Sequence, residues 1–146
     1  MLRRCAQARL IFIKIGNVEV AQPAVMEIFL VESFAHTRDR LAEILATIPQ
    51  AHLAGYAESA RAAIAAILEK KPDVVLLALK LDDGSAFDVL REVHTREPGI
   101  DFYVLSNYPS EPYQRYAERL GALAFFDKNE GLEPVRRLLE RRACVH

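Results

Sequence analysis

From residue 26 onward, two hydrophobic patterns alternate along the chain. Short apolar runs at 28–31, 73–79, 100–105 and 123–126 predict strands, most of them buried on both faces of a sheet, and residues 52–56 predict a weaker one. Between them, apolar residues recur every three or four positions, which predicts amphipathic helices. The residues that mark the inward faces of four of these helices are Leu41, Ile44, Leu45 and Ile48; Ile64, Ile67 and Leu68; Phe87, Val89, Leu90 and Val93; and Leu132, Val135, Leu138 and Leu139.

Residues with strong local preferences mark where these helices begin and end. Ser59, Ser85 and Ser110 are well placed to cap helices at their N-termini, and Pro49 and Pro72 follow helical stretches that they would terminate. Five strand–helix units in series predict an α/β fold in which a doubly wound parallel sheet carries helices on both faces.

The first 25 residues follow neither pattern. Arg3, Arg4, Arg9 and Lys14 stand against Glu19 alone, so this segment carries an excess of three positive charges. Residues 21–24 are expected to form a linker, and the apolar stretch at 10–13 is too short for a secretory signal. We therefore expect residues 1–25 to be an N-terminal extension or linker outside a domain of residues 26–146. A loosely attached arm, a mis-called start and a functional arm remain open.

Composition narrows the function classes. The chain has 146 residues, of which 51% are hydrophobic and 27% charged, with a net charge of −1. These values are typical of one soluble domain, and they predict no nucleic acid partner and no membrane partner. Cys5 and Cys144, near opposite ends, form neither a disulfide framework nor a metal motif, which predicts a cytoplasmic location.

Parallel α/β sheets bind their ligands at the carboxyl ends of their strands, and in this chain those ends are polar at all positions but one. The residues there are Glu32 and Ser33, Ala78, Ser106 and Asn107, and Lys128. We call the group formed by Glu32, Ser33, Ala78, Ser106 and Lys128 the strand-end pocket.

Short stretches around these positions make residues 27–142 resemble the receiver domain of two-component response regulators. The matching stretches, in order, are Val31-Glu32, Pro72-Asp73-Val74-Val75-Leu76-Leu77, Leu81-Asp82-Asp83-Gly84-Ser85, Leu105-Ser106-Asn107 and Phe126-Asp127-Lys128. The resemblance implies a (βα)5 flavodoxin-like receiver fold with strand order 2-1-3-4-5. It also implies an aspartate nucleophile after the third strand, a Mg²⁺ held by that aspartate and an acidic pair, and a hydroxyl and a lysine that hold the phosphoryl oxygens.

The chain departs from this pattern at two positions. The resemblance puts Ala78 at the phosphoacceptor, where a methyl group cannot form an acyl phosphate, and Ser33 at the second acidic position. We therefore predict no catalytic residue, no metal site and no cofactor in the strand-end pocket. Without an acceptor carboxylate, Lys128 is expected to form an ion pair with Glu32.

The leading hypothesis is a pseudo-receiver: a non-enzymatic, phosphorylation-independent signalling module that binds other proteins. Two alternatives stay open, a phosphorelay receiver with a displaced acceptor at Asp82 or Asp83, and a binder of some other small anion at the strand-end pocket. A small-ligand binder or enzyme on a flavodoxin-like sheet is disfavoured because no glycine-rich phosphate loop follows the first strand.

The resemblance also predicts where a partner would bind, on the fourth helix, fifth strand and fifth helix. Tyrosine and arginine are enriched at binding hot spots. The candidate interface residues are Tyr108, Tyr113, Tyr116, Phe125, Arg137 and Arg141. At least one of Tyr113 and Tyr116 is also expected to pack on the sheet. The expected partner is a protein: a histidine kinase, another regulator or a second copy in a homodimer.

Overall fold

The computed structural model describes residues 10–145, with the side chains of residues 22, 23, 144 and 145 excepted. Arg3, Arg4, Cys5 and Arg9, and the side chain of Cys144, therefore lie outside the described part. In chain order the elements are β1 (Leu10–Ile15), β2 (Val18–Pro23), β3 (Met26–Val31), α1 (Ala35–Ala46), β4 (Ala51–Ala57), α2 (Ala60–Lys70), β5 (Val74–Ala78), β6 (Lys80–Leu81), β7 (Gly84–Ser85), α3 (Ala86–His94), β8 (Asp101–Ser106), α4 (Glu111–Arg119), β9 (Ala122–Asp127), a 3-10 turn (Lys128–Glu130) and α5 (Glu133–Val145).

Five of these strands form the main sheet, and all of its neighbouring pairs are parallel. Their spatial order is β4-β3-β5-β8-β9, which is 2-1-3-4-5 when only these strands are counted. The continuous apolar runs of β3 and β5 are buried because both faces of the sheet are covered. The α/β flavodoxin-like prediction is therefore confirmed.

Two hydrophobic cores lie on opposite faces of the sheet. One joins Ala63 and Ile67 of α2, Val89 and Val93 of α3 and Ala117 of α4. The other joins side chains of α1 and α5, including Leu41, Leu45, Val135 and Leu139. The sheet is thus covered by three helices on one side and two on the other. In the described residues, no helix has the length and apolar character that a bilayer span requires.

The predicted N-caps are confirmed. The Ser59 side chain accepts a hydrogen bond from the Ala62 amide at 3.1 Å. Ser85 begins α3 within a capping box, because its side chain accepts from the first turn while the Asp88 carboxylate accepts from the Ser85 amide at 2.9 Å. Ser110 likewise begins α4. The caps at Ser85 and Ser110 set the starts of α3 and α4 directly after the loops that follow Ala78 and Ser106.

The linker predicted at residues 21–24 is wrong in most of its length. Residues 21–23 belong to β2, which pairs antiparallel with β1, so that only Ala24 and Val25 separate this hairpin from β3. Gly16 adopts a φ of +65° in the two-residue turn that joins the strands, as tight hairpin turns require. We call residues 10–23 the arm.

Candidate functional site

The carboxyl ends of the central strands bring four chemically distinct side chains to one edge of the sheet. Glu32 follows β3, Ala78 ends β5, Ser106 ends β8 and Lys128 follows β9. Of the polar residues in the described part, Glu32 and Ser106 are the two that are buried, each with 2% of its surface exposed. The strand-end pocket is therefore a desolvated site, in which each polar atom needs a partner.

Glu32 and Lys128 form a bidentate ion pair. The Lys128 Nζ lies 3.0 Å from Glu32 Oε1 and 2.8 Å from Oε2, and the two side chains are 10% and 2% exposed. The predicted pairing is confirmed. A buried charge is costly without a compensating one, and each group supplies the counter-charge that the other needs at this depth.

The hydroxyl of Ser106 is engaged by its own loop. Its Oγ accepts a hydrogen bond from the Tyr108 amide at 2.8 Å. The Asn129 side chain donates to the Asn107 carbonyl at 2.9 Å, which joins the loop after β8 to the turn after β9. These bonds hold the loop that begins at Ser106 against the turn that contains Lys128.

Ala78 supplies only a methyl group at the end of β5. It is 2% exposed and belongs to the same core as the sheet face beneath α2, α3 and α4. The chain continues from it into the buried Leu79, whose amide donates to the Leu105 carbonyl at 2.9 Å. The centre of the strand edge is therefore apolar.

A cavity of about 260 Å³ opens beside these residues. Its lining residues are Ser33, Phe34, Leu79, Lys80, Leu81, Asp82, Leu105, Ser106, Asn107, Tyr108 and Lys128. Phe34 and Tyr108 are exposed at the cavity, and Lys80 Nζ lies 4.2 Å from the centroid of the Tyr108 ring. The exposed aromatic at position 34 and the cation at position 80 are site features that the sequence analysis missed, since no local pattern distinguishes them from ordinary loop residues.

The donor set of the strand-end pocket does not fit a divalent cation. Mg²⁺ requires hard oxygen ligands, usually including carboxylates. Both oxygens of Glu32 accept from Lys128, and the described residues contain no group of three or more aspartate, glutamate, histidine or cysteine side chains that could hold a metal. A cation here would have to displace Lys128 and face its charge at close range.

Asp83 caps helix α2. Its Oδ1 accepts from the Ala60 amide at 2.5 Å and its Oδ2 from the Arg61 amide at 3.1 Å. These backbone hydrogen bonds, that of Ala60 first, lower the pKa of Asp83 because they favour the charged carboxylate. Asp82 is exposed and lines the cavity. Only Asp82, of the two, faces the site where an acceptor would be needed.

The expected interface residues do not all lie on one face of the domain, because the two tyrosines of α4 pack toward α3. Tyr113 and Tyr116 pack on Phe87 of α3, with ring centroids 6.2 and 4.7 Å apart, and the Tyr116 hydroxyl accepts from Arg91 at 3.0 Å. The expectation that one of them packs on the sheet is wrong, because Ala117 is the buried side chain of α4 and the two tyrosines turn toward α3.

The remaining interface candidates lie on the β9 side of the domain. Phe125 is half-buried against the core beneath α2, α3 and α4. Arg137 and Arg141 are exposed, and no ion pair of either occurs among the described residues. By contrast, Arg142 contacts Asp101 at 2.6 Å. Arg137 and Arg141, one turn apart on α5, are thus the cations available to a partner.

The comparisons with known proteins agree with this geometry. The family model of the response regulator receiver domain matches residues 28–140, which is most of the chain. The chain therefore belongs to the response regulator receiver domain family of two-component signalling.

Curated relatives extend well beyond the matched part. The chain is 28% identical over 113 residues to the DNA-binding transcriptional activator DevR/DosR of Mycobacterium tuberculosis, covering 77% of this chain and 52% of that protein. It is 34% identical over 123 residues to protein-glutamate methylesterase/protein-glutamine glutaminase 6 of Anaeromyxobacter dehalogenans, covering 82% of this chain and 35% of that protein. The chain thus spans about half or less of the length of these relatives.

Solved structures show the same fold. The signal receiver domain of the response regulator NarL from Mycobacterium tuberculosis superimposes with a TM-score of 0.76 at 19% identity, over 83% of this chain and 98% of that one. The response regulator domain of Thermotoga maritima CheB gives a TM-score of 0.72 at 19% identity, over 82% and 96%.

Proposed function

We propose that this receiver domain works as a phosphorylation-independent protein-interaction module, a pseudo-receiver. The observation that carries the proposal is the make-up of the strand-end pocket. An alanine ends β5, at the position where the resemblance places the carboxylate nucleophile, and its methyl group cannot form an acyl phosphate. The lysine of the pocket is already neutralised by Glu32 at 2.8 Å.

The same ion pair argues against the two alternatives. A small anion would have to compete with the Glu32 carboxylate for Lys128 while being repelled by it. A displaced acceptor at Asp83 would have to give up two hydrogen bonds to the start of α2. Asp82 is the carboxylate left to test, since it is exposed beside the cavity.

The proposed partner is a protein of two-component signalling: a histidine kinase, another regulator or a second copy. We propose Arg137 and Arg141 of α5, with Tyr108 and Phe125, as the contact surface. The exposed guanidinium groups, which form no ion pair within the part of the chain that the structure describes, support this assignment because they can form charge-assisted hydrogen bonds with partner carboxylates. In this account the protein acts in the cytoplasm, has no enzymatic activity and needs neither nucleic acid nor a membrane.

The proposal is tested with purified histidine kinases from the source organism, each labelled by autophosphorylation with ATP. Binding is measured with phosphorylated and unphosphorylated kinase, and label transfer is followed in the same samples. We expect one kinase to bind with the same affinity in both states and no label to reach this protein. Transfer of label to the natural chain would overturn the proposal.

The surface assignment has its own control. The double variant Arg137→Glu, Arg141→Glu is expected to weaken binding of that kinase about tenfold or more, because two attractive contacts become repulsive. The variant Arg96→Glu reverses another exposed cation, on the loop after α3, and is expected to leave the affinity unchanged. Equal losses in both variants would show a general charge effect and would contradict the assignment.

A further inference from the structure

The cavity beside the strand-end pocket combines apolar walls with an exposed aromatic rim. Leu79 and Leu105 are buried residues that line it, whereas Phe34 and Tyr108 are 62% and 55% exposed where they border it. Its volume of about 260 Å³ lies just below the range of about 300–1,000 Å³ that is typical of ligand sites. The cavity therefore suits a small ligand with an apolar ring, whose binding would remove aromatic surface from water.

Two opposite charges at this cavity are not neutralised by the protein. Lys80 and Asp82 both line the cavity, and neither forms an ion pair within the part of the chain that the structure describes. The Lys80 ammonium instead lies 4.2 Å from the centroid of the Tyr108 ring. The third charged residue of the lining, Lys128, is neutralised by Glu32. The cavity thus offers a ligand one cation and one anion.

Lys80 and Asp82 are close enough to bind the two ends of one small molecule. Because a single residue separates them, their Cα atoms lie at most about 7 Å apart. That residue, Leu81, is buried in the core beneath α2, α3 and α4. Asp83 fixes the same segment by accepting a hydrogen bond from the Ala60 amide at 2.5 Å. The two charges therefore project from an anchored segment, which lowers the entropic cost of binding a ligand between them.

We propose that this cavity binds a free α-amino acid with an aromatic side chain. The ligand carboxylate contacts the Lys80 ammonium, the ligand ammonium contacts the Asp82 carboxylate, and the ligand ring covers the aromatic rim. A zwitterion matches the charges of the cavity, whereas a simple anion would be repelled by Asp82. Such a ligand carries no phosphate, so it does not need a glycine-rich loop after β3, where the sequence has none.

The Glu32–Lys128 ion pair stays intact in this complex, because the ligand carboxylate is bound by Lys80. The proposal therefore goes beyond the function proposed for the domain and uses neither phosphoryl chemistry nor a kinase. Its test needs only the purified chain and an amino acid, so a failure here leaves the pseudo-receiver proposal standing, and the reverse also holds.

The test is a titration of the full chain with L-phenylalanine, followed by NMR of the backbone amides. Because the aromatic rim is open to solvent, we expect weak binding with a Kd of about 0.1–1 mM. The shifted signals are expected in the segments that line the cavity, residues 33–34, 79–82 and 105–108. L-Alanine has both charges but no ring, and it is expected to bind about tenfold or more weakly.

Two derivatives of phenylalanine separate the roles of the two charges. L-Phenylalaninamide lacks the carboxylate and N-acetyl-L-phenylalanine lacks the ammonium group, so each is expected to bind about threefold or more weakly than phenylalanine. Lys80→Met is expected to weaken phenylalanine by a similar factor without weakening phenylalaninamide. Asp82→Asn is expected to weaken phenylalanine without weakening the N-acetyl derivative. Both residues are exposed, and unchanged melting temperatures of the variants exclude unfolding as the cause of a loss.

Several outcomes would overturn the proposal. An absence of shifted signals at about 10 mM phenylalanine would do so, as would shifts confined to residues outside the cavity. Equal affinities for phenylalanine and its two derivatives would show that the ring binds without recognition of the charges. If Lys80→Met weakened phenylalaninamide as much as phenylalanine, Lys80 would act through the shape of the cavity and not through the ligand carboxylate.

Discussion

The ammonium group of Lys128 donates to both carboxylate oxygens of Glu32, at 3.0 and 2.8 Å, across 96 positions of sequence. The pair joins the first and last strands of the domain in chain order, β3 and β9, which are separated by β5 and β8 in the sheet. A single contact therefore spans the carboxyl edge of the sheet, where it also neutralises the lysine that faces the cavity.

Removing one partner of this pair is expected to destabilise the fold. Glu32→Gln leaves the Lys128 ammonium buried without a counter-charge, so we expect a loss of about 3 kcal/mol in the free energy of unfolding and a melting temperature lower by roughly 10 °C. Thermal unfolding followed by circular dichroism measures both. As a control, Glu27→Gln breaks the exposed pair with His52 and is expected to cost less than about 1 kcal/mol. An unchanged melting temperature in Glu32→Gln would contradict a structural role for the pair.

The cap that Asp83 provides for α2 predicts a pH dependence of stability. The folded pKa of Asp83 is lowered by hydrogen bonds from the Ala60 and Arg61 amides, so its contribution is fully present above the unfolded pKa of about 3.9 and is lost as pH falls through the folded pKa. We expect Asp83→Ala to lower the melting temperature at pH 7 and the difference from the natural protein to shrink below about pH 4. Asp82→Ala, which removes an exposed carboxylate, is expected to change little at either pH. If the melting temperatures of Asp83→Ala and the natural protein differ as much in acid as at pH 7, the Asp83 charge is not what stabilises α2.

Alanine substitutions at two glycines with positive φ are expected to distinguish the cost of backbone strain from the cost of a side-chain collision. Gly121 has a φ of +115°, and a Cβ there would lie 2.5 Å from the His94 ring. Gly131 has a φ of +83°, with nothing within 4 Å of the corresponding position. We expect Gly131→Ala to cost on the order of 1–3 kcal/mol for the backbone alone, because its ψ of 179° places it in a region essentially restricted to glycine. Gly121→Ala is expected to cost clearly more, because the ring at the end of α3 must also move. Urea unfolding of the two variants measures the difference. Equal costs would mean that His94 rearranges freely.

The arginines of α5 are expected to separate into two classes by their effect on stability. Arg142 contacts Asp101 at 2.6 Å and donates to the Tyr103 hydroxyl at 3.2 Å, so Arg142→Ala is expected to cost about 1–2 kcal/mol. Arg137→Ala and Arg141→Ala alter exposed side chains and are expected to stay within about 0.5 kcal/mol of the natural protein. Chemical unfolding of the three variants provides the comparison. A large loss at Arg137 or Arg141 would give these residues a structural role and weaken their assignment to a binding surface.

Most of the main sheet could be predicted from the sequence because its strands are short apolar runs with clear breakers between them. The five strands of the main sheet each extend a predicted run by no more than two residues or shorten it by one at each end. The arm carries a local hairpin signal, because Gly16-Asn17 lies between Ile13-Lys14-Ile15 and Val18-Glu19-Val20. The excess positive charge of residues 1–25 favours an extension instead, so charge and composition alone do not predict the two paired strands.

The sequence predicts those contacts of the candidate site that follow from the order and direction of the strands alone. Because parallel strands end at one edge, Glu32 and Lys128 could be expected to meet despite their separation in sequence. The direction of Tyr113 and Tyr116 could not, since it depends on how α4 is rotated about its axis. A single small buried residue, Ala117, sets that rotation by allowing close approach to the sheet while the larger rings turn toward Phe87.

The most direct test of the central proposal is an intact-mass measurement after incubation with a small-molecule phosphodonor and Mg²⁺. The natural protein is compared with the double variant Ser33→Asp, Ala78→Asp, which restores carboxylates at the end of β5 and beside Glu32. We predict no mass increase for the natural protein and the addition of one phosphoryl group to the double variant. A phosphorylated aspartate in the natural protein, with Asp82 as the first position to examine, would contradict the account.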